Sequence, residues 1–539
     1  MNWLTDTPAS KRFPVYTRSN ASDVLPDPIS PLGATLSWRP GLIEGWRDGN
    51  VNNGAFEMHE LTGEGINPCC GFFNGYFYVN ASVVRVFGER SGAGAAGIDA
   101  AFFGNRPDTP PYVAHPDDVN EAAGARIGER VGWVLSVTEW SHLDQRKSEA
   151  DAARNDRPDL ATMTDAALVA YARSLTQALR EHFDDHVITS SNTAIGPAIL
   201  GGIVPHLLLR LIGGAGDVDS AAPSTAMWDL SRLDPSSADF EQGFASFLRE
   251  FGSRGPNEWD VYSEVWETKP QLALALIDSM RAVGAEGEPR KRLAAQIADR
   301  EAATAEALAL VEGNDEAVGM VLAAQASAMR FNAWRERSKT NCIKVVHEQR
   351  MALRELGRRH LDDPRDIFML TDEELDDFVA DPAAAKPMMA DRKAAWQDLW
   401  LLEPPYFVQS DRGVPALEDL AVRSNSDAVI AVAGDVLTGA GGCSGIVRGR
   451  ARVILDAADP SALEPGDILI APNTDPSWTP LFVAAGGAVV NVGAMNSHAI
   501  IVSRELGIPC VVSVTDATKR IPDGSMIEVD GAAGTVTML

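Results

Sequence analysis

The stretch from Val489 to Val512 reads VVNVGAMNSHAIIVSRELGIPCVV. An apolar run ends at Gly493, a short loop comes next, and Ser497 stands where a helix N-cap belongs. Residues 497–506 have room for one short helix, which Gly507 and Pro509 stop before a second apolar run begins at Cys510. Strand, loop, helix and strand in so few residues predict a compact α/β unit. His498 falls in the first helical turn, where free backbone N–H groups and the positive end of the dipole make a natural anion site. A histidine there has its cationic form disfavoured, leaving a neutral imidazole able to accept a phosphoryl group. The bland alternative is a histidine capping a surface loop.

Around this stretch, β-rich segments at 446–455, 467–471, 488–492, 510–514 and 526–529 alternate with the turn pairs Pro465-Gly466, Asp523-Gly524 and Asp530-Gly531. They define a small α/β domain over 443–539. Before it, 423–442 is small and weakly patterned and reads as a linker; its first fifteen residues could span about 50 Å if extended. Residues 1–422 read as one large, mainly helical domain. Amphipathic runs fall at 166–183, 292–311 and 316–359, with breaks at 213–216, 252–256 and 284–289. The first 110 residues are rich in Pro, Gly and Asn and read as irregular, with short strand-like pieces such as 72–79. The fold class expected is multidomain α+β, a large helical domain followed by a small α/β one.

The 539 residues carry 75 Asp+Glu against 47 Lys+Arg, a formal charge of −28. That charge repels nucleic acid, which needs a basic footprint, and an anionic membrane surface. The first residues lack an apolar run of signal-peptide length. The most apolar stretch, 195–212, is interrupted by Pro197, Pro205, His206 and Arg210, so it does not read as a lipid span. Five cysteines give no disulfide framework. A cytoplasmic protein is expected, with no partner nucleic acid or membrane.

Familiar signatures are missing: GxxxxGK[ST], HExxH and paired CxxC do not occur. A GxGxxG does, at Gly92, Gly94 and Gly97, but the segment after it is short and runs into Pro107, so a flexible loop is the preferred reading. His182 and His186 are four apart near the expected end of a helix, with Asp185 close by; a favourable dipole contact is preferred to a metal site. No metal and no tightly bound cofactor are expected.

Gly493, Ser497–His498, Ala499, Val502, Arg504–Glu505, Gly507–Ile508–Pro509 and Val511–Val512 resemble the phosphohistidine motif of the PEP-utilising, or dikinase, family. Ser444–Gly445 with Gly449–Arg450–Ala451, and Asn473–Thr474–Asp475–Pro476 with Trp478–Thr479–Pro480–Leu481–Phe482, resemble other parts of its mobile, swivelling domain. Ala494 stands where a second glycine is usual, and Asn496 and Ser503 also depart from the pattern. The resemblance implies that His498 is the phosphorylated residue, in an environment that includes Thr474, Gly493, Ser497 and Arg504.

Upstream, Gly252, Arg254–Gly255–Pro256–Asn257–Glu258 and Trp266, then Arg335–Glu336, Lys339, Arg350 and Arg354, resemble the substrate domain of the rifampicin phosphotransferase type, with Ser253 where histidine is usual. Arg335 and Lys339, four apart, lie along one helical face, and two cations can hold a transferring phosphoryl group. With the resemblance included, this outweighs a solvated charged face. Arg254 and Glu258 read equally as a buried ion pair or as substrate-binding residues. Arg350 is a weaker substrate-binding candidate, and His347, eight residues past Lys339, is a guess for the general base.

The family's ATP-grasp domain and PEP/pyruvate barrel are not recognised in the chain, an arrangement that resembles the histidine-bearing subunit of phenylphosphate synthase. The expectation is a two-component dikinase. A separate ATP-grasp subunit binds Mg-ATP and passes the β-phosphate to His498. The small domain then swings and delivers it to a hydroxyl of a small phenolic or other aromatic substrate, giving an aryl phosphate, AMP and phosphate. The apolar stretch 198–212 and Phe72, Phe73, Tyr76 and Phe77 are candidate pocket walls. Two rivals remain: a component of a rifamycin-type antibiotic phosphotransferase, which needs a wide cleft, and a phosphocarrier or regulator that needs no acceptor.

Overall fold

In a computed structural model describing residues 4, 6–103, 106, 108–216, 218–219, 221–423, 428–455, 463–493 and 497–539, the longest element is the helix Asp315–His360. The side chain of Asn314 caps its start by accepting from Ala317 N, with Asp315 and Glu316 in the first turn. Arg358, Arg359 and His360 close the last turn, so each end carries the charge that opposes the helix dipole. Its second half is buried on several sides, with Glu336, Ser338, Asn341, Glu348, Gln349 and Arg350 among the buried residues. Polar groups in such a place need internal partners, and these partners build the site.

The helix Asp165–Asn192 packs along it. It runs past the end expected from the sequence, so His182 and His186 lie inside it, too far from its C-terminus for the dipole contact. His186 bonds Ser338 at 3.0 Å, and Asp185 is engaged by His142 at 2.9 Å.

The N-terminal region is more helical than expected. A wide helical turn over Gly33–Ile43 continues into the helix Glu44–Asn52. Pro40 lies inside the wide segment, where the looser ring accommodates a residue without an N–H. Gly41, Gly45 and Gly49 recur every four residues against Asp165–Asn192; a Cβ at Gly45 would sit 2.4 Å from the Arg180 carbonyl oxygen. Gly45→Ala is therefore expected to cost about 1–2 kcal/mol, since overpacking against backbone exceeds the gain in helix propensity. A lower Tm would show it; an unchanged or higher Tm would contradict this packing.

The glycine motif is also not a loop. Gly92, at φ 81°, terminates the helix Ala81–Ser91, and Gly94–Phe103 is a second helix. A dinucleotide fingerprint requires a strand before its helix, which this helix pair lacks. Phe72, Phe73, Tyr76 and Phe77 are at most 1% exposed, in the strands Cys70–Phe73 and Tyr76–Asn80. They are core, not pocket wall. These strands pair in the order Cys70–Phe73, Tyr76–Asn80, Val15–Thr17, Phe407–Gln409, so the start and end of the large part close one antiparallel sheet. No helix among the described residues is long and apolar enough to cross a membrane.

The C-terminal part is an eight-stranded mixed sheet. Its order is Val436–Thr438, Thr535–Met538, Met526–Asp530, Ile446–Val453, Ile468–Ala471, Gly487–Val490, Cys510–Val512, Ala440–Cys443. Ile446–Val453 through Cys510–Val512 form its parallel centre, and the last three of these strands are buried throughout, which is why they read as unbroken apolar runs. Val436–Thr438 and Ala440–Cys443 belong to this sheet, so the linker expected over 423–442 is shorter: its later residues were too small and few to announce themselves as strands. Positions 424–427 of that linker, and the departures at Ala494 and Asn496, lie outside the described residues.

The helices Thr479–Ala484 and His498–Leu506 cover one sheet face. Trp478, Leu481, Phe482, Leu506 and Ile508 then merge with Trp228, Phe247, Trp266, Ile277 and Met280 of the helical part into one apolar core. This shared core sets the orientation in which His498 meets the helical domain.

Candidate functional site

His498 opens the helix His498–Leu506, and Ser497 has the extended backbone of an N-cap, φ −69° and ψ 157°. The Ser497 hydroxyl does not cap the helix; it is buried with no hydrogen-bond partner among the described residues. Gly493 shapes the approach: at φ 152°, a Cβ there would meet both Ser497 Oγ and Val512 Cβ at 3.0 Å.

The imidazole is held between two threonines. Thr479 Oγ1 lies 3.0 Å from Nε2 and Thr474 Oγ1 lies 3.2 Å from Nδ1. One hydroxyl donates to the bare nitrogen and the other accepts from the N–H, so both ring nitrogens are satisfied in either tautomer. Phe482 packs edge-on against the ring. Burial first, and then the charges of Lys339, Arg254 and Arg335, push the His498 pKa well below the ordinary histidine value. The ring is thus held neutral at physiological pH by its burial and the facing cations.

Those three cations come from the helical domain. Arg335 pairs with Glu336 at 2.9 Å, and Lys339 stands 3.8 Å from Glu258. Arg254 donates to Glu258 at 2.8 Å and to Thr340 at 3.0 Å. The buried Arg254–Glu258 ion pair is thus present, and its arginine is among the cations that act on His498. Burial lowers the Lys339 pKa, partly offset by Glu258 and Glu336.

Of three consecutive residues, the outer two tie the domains together and the middle one holds the histidine. Asn473 Nδ2 donates to the Ser22 carbonyl at 3.2 Å, Thr474 holds His498, and Asp475 Oδ2 accepts from Asn257 N at 3.1 Å. At the far end of the helix, the Glu505 carboxylate accepts from Ala215 N at 2.9 Å and Gly216 N at 3.3 Å.

Other candidates lie elsewhere. His347 is fully buried, with Nε2 donating to Glu267 at 2.8 Å and Nδ1 accepting from Arg350 at 3.0 Å. Burial, opposed by Glu267, lowers its pKa to about 3, so it has neither a free nitrogen nor the basicity for a general base. Arg350 does not face the histidine; it donates to the carbonyls of Glu258 (2.7 Å) and Asp260 (3.0 Å), pinning the loop that carries Arg254. Arg504 is in the last turn of its helix, about 9 Å along the axis from His498, and donates to the Gly442 carbonyl at 2.9 Å. It secures the helix to the edge strand instead of lining the imidazole.

Two neighbours were not singled out from the sequence. Thr479 sits in a segment already noted for its resemblance, and only its contact with Nε2 distinguishes it. Asp23, on the one-turn helix Ala21–Val24, lies within electrostatic reach of Lys339 and Arg335. No local pattern marks it. A cleft of about 1390 Å³ opens beside these residues, running from Ser22, Asn257, Asn473 and Asp475 toward Tyr262, Trp400 and Tyr406.

Comparison with known proteins agrees with this arrangement. Residues 463–534 match the PEP-utilising enzyme mobile domain, and residues 186–336 match the rifampicin phosphotransferase fourth domain. The chain thus joins a region like the mobile domain of the PEP-utilising enzymes to one like the fourth domain of rifampicin phosphotransferase. An uncharacterized protein of Mycobacterium tuberculosis is 28% identical over 98% of this chain, which spans 62% of that relative's length. A rifampicin phosphotransferase of Streptomyces sviceus is 33% identical over 57% of this chain and 35% of its own length, and one of Bacillus cereus 30% identical over 54% and 34%.

Proposed function

We propose that this chain is the histidine-bearing, acceptor-binding part of a phosphotransferase. The reading rests above all on His498, buried between two threonines and facing Lys339, Arg254 and Arg335 across the domain interface. The imidazole nitrogen takes a phosphoryl group, and the three cations offset its charge as it passes to an acceptor hydroxyl. The ring nitrogen opposite keeps its proton on a threonine oxygen, so a neutral imidazole leaves. The phosphoryl source is the β-phosphate of ATP, bound as Mg-ATP by a separate ATP-grasp subunit; the other products are AMP and phosphate. The small domain carries the group between the two sites, because one imidazole must present it in two geometries.

The sequence reading points to a hydroxyl of a phenolic or other aromatic compound, with a rifamycin-type macrocycle as its rival. The cleft favours the larger. Its volume of about 1390 Å³ exceeds the usual range for a drug-sized ligand, roughly 300–1,000 Å³. Its walls mix Arg18, Asp27, Glu264 and Lys269 with Tyr262 and Trp400, where a small phenol calls for a closed apolar pocket. The match of 186–336 to a rifampicin phosphotransferase domain points the same way.

The deciding experiment labels the protein from ATP radioactive at the β position, with and without an ATP-grasp partner, and then adds phenol or a rifamycin. The expected result is acid-labile label that requires the partner and is removed by the rifamycin. Removal by phenol alone would restore the aryl kinase reading, and label that neither compound removes would favour a phosphocarrier. Label without any partner would overturn the two-component arrangement.

A further inference from the structure

The cleft beside the histidine has two walls, and they belong to different domains. Tyr262 and Trp400 line it from the helical part, while Asn491, Val492, Thr515, Asp516, Thr518 and Lys519 line it from the phosphohistidine domain. The second wall is continuous with the segment that leads to His498. Asn491 and Val492 come directly before Gly493, and Ser513 Oγ donates to the Gly493 carbonyl. Asn491 ties the two halves of this wall together: Nδ2 donates to Thr518 Oγ1 at 2.8 Å and Oδ1 accepts from Thr518 N at 2.9 Å. Ser513 and Asp516 hold left-handed backbone, at φ 57° and 54°. Residues with a Cβ keep that conformation only where their surroundings enforce it, so the wall has a set shape. At the rim, Lys519 Nζ stands 3.6 Å from a Glu403 oxygen of the helical part. Such an exposed pair adds little stability by itself, but it marks where the two walls approach each other.

We propose that the phosphohistidine domain supplies one side of the acceptor site, so that the bound acceptor fastens the two domains together. The inference rests on the phosphotransfer reading above and adds a binding role for the mobile domain. A ligand gripped by both walls loses one of them whenever the small domain leaves. It therefore binds the docked arrangement more tightly, and by linkage it favours docking by the same factor. Selection follows. A large aromatic alcohol that stacks on Tyr262 and Trp400 while reaching Thr518 and Lys519 holds the histidine in place for delivery, whereas a small phenol touching one wall does not. Inhibition follows too. An acceptor bound ahead of loading keeps His498 from the ATP-grasp partner, so excess acceptor slows the step that charges it.

The test uses the full chain, the ATP-grasp partner and a rifamycin as probe, comparing wild type with Thr515→Trp and Lys519→Glu. Thr515 is exposed on its wall, so tryptophan there narrows the cleft from the mobile side alone. Rifamycin affinity is expected to fall about tenfold or more in Thr515→Trp, and by less in Lys519→Glu, with melting curves recorded beside it. A second readout needs no variant. AMP formation counts loading events however soon the phosphoryl group moves on, and in wild type it is expected to rise and then fall as rifamycin increases. Affinity in a folded Thr515→Trp within about threefold of wild type would overturn the shared site, as would AMP formation that climbs to a plateau. Either result with rifamycin still phosphorylated would leave the phosphotransfer reading standing, with the acceptor held by the helical domain alone. If wild type binds no rifamycin, the acceptor reading itself falls, and the shared site with it.

Discussion

His498→Ala is expected to take up no acid-labile phosphate under conditions that label the wild type fully. The histidine has no understudy. Thr474 and Thr479 are the groups against its nitrogens, and a hydroxyl in that apolar, cation-facing setting is neither ionised nor basic enough to replace an imidazole. Because the ring is packed against Phe482, the alanine variant leaves a cavity in the mobile domain, so folding must be checked beside activity. His498→Gln, which keeps an amide between the two threonines, supplies that control. A well-folded glutamine variant that still accepts acid-labile phosphate would remove His498 from the reaction.

The second large effect is expected from Lys339→Met. Loading of His498 by the partner should persist, while delivery to the acceptor slows by about 10²–10³-fold, the usual cost of losing one preorganised group that stabilises transition-state charge. Lys339 is the better choice than Arg335, which is drawn toward Glu336 at 2.9 Å, whereas Lys339 stands 3.8 Å from Glu258. The same variant carries a titration signature. Lys339 is first among the cations that depress the His498 pKa, so without it the protonated ring persists to higher pH. The histidine ¹⁵N shifts should therefore titrate upward, toward the ordinary value, though burial keeps them below it. Unchanged delivery with that upward titration would show that the cation acts only on the resting ring; unchanged delivery without it would show that it acts on neither.

Much of this was legible in the sequence, for reasons that differ by region. The helix expected over 316–359 is found at Asp315–His360, because a capped, charge-matched, Ala-rich run is locally consistent. The helix after Ser497 was read to within a residue because Gly507 and Pro509 mark its end. The N-terminal helices were missed because Gly33–Ile43 and Glu44–Asn52 contain glycines and Pro40, which local propensity reads as breaks. They form through close packing on Asp165–Asn192, a contact no local pattern reports. At the site, helical spacing puts the cations at 335 and 339 on one face, but it takes the family resemblance to prefer them over a solvated charged face. His347 was misjudged because eight residues turn the helix face by about 80°, enough to aim it at Glu267 instead of His498. Asp23 was beyond reach, since it comes within electrostatic reach of Lys339 and Arg335 from more than half the chain away.

The apolar core shared by Trp478, Leu481, Phe482, Leu506 and Ile508 with Trp228, Phe247 and Trp266 has a thermal consequence. If the small domain travels, each departure wets those side chains unless another apolar surface receives them, so the journey is a handover between two dry berths instead of free diffusion on a tether. Such an exchange carries the heat-capacity change of buried hydrocarbon, and its apolar grip weakens on cooling. Low temperature, more than added salt, is the condition under which this domain lets go.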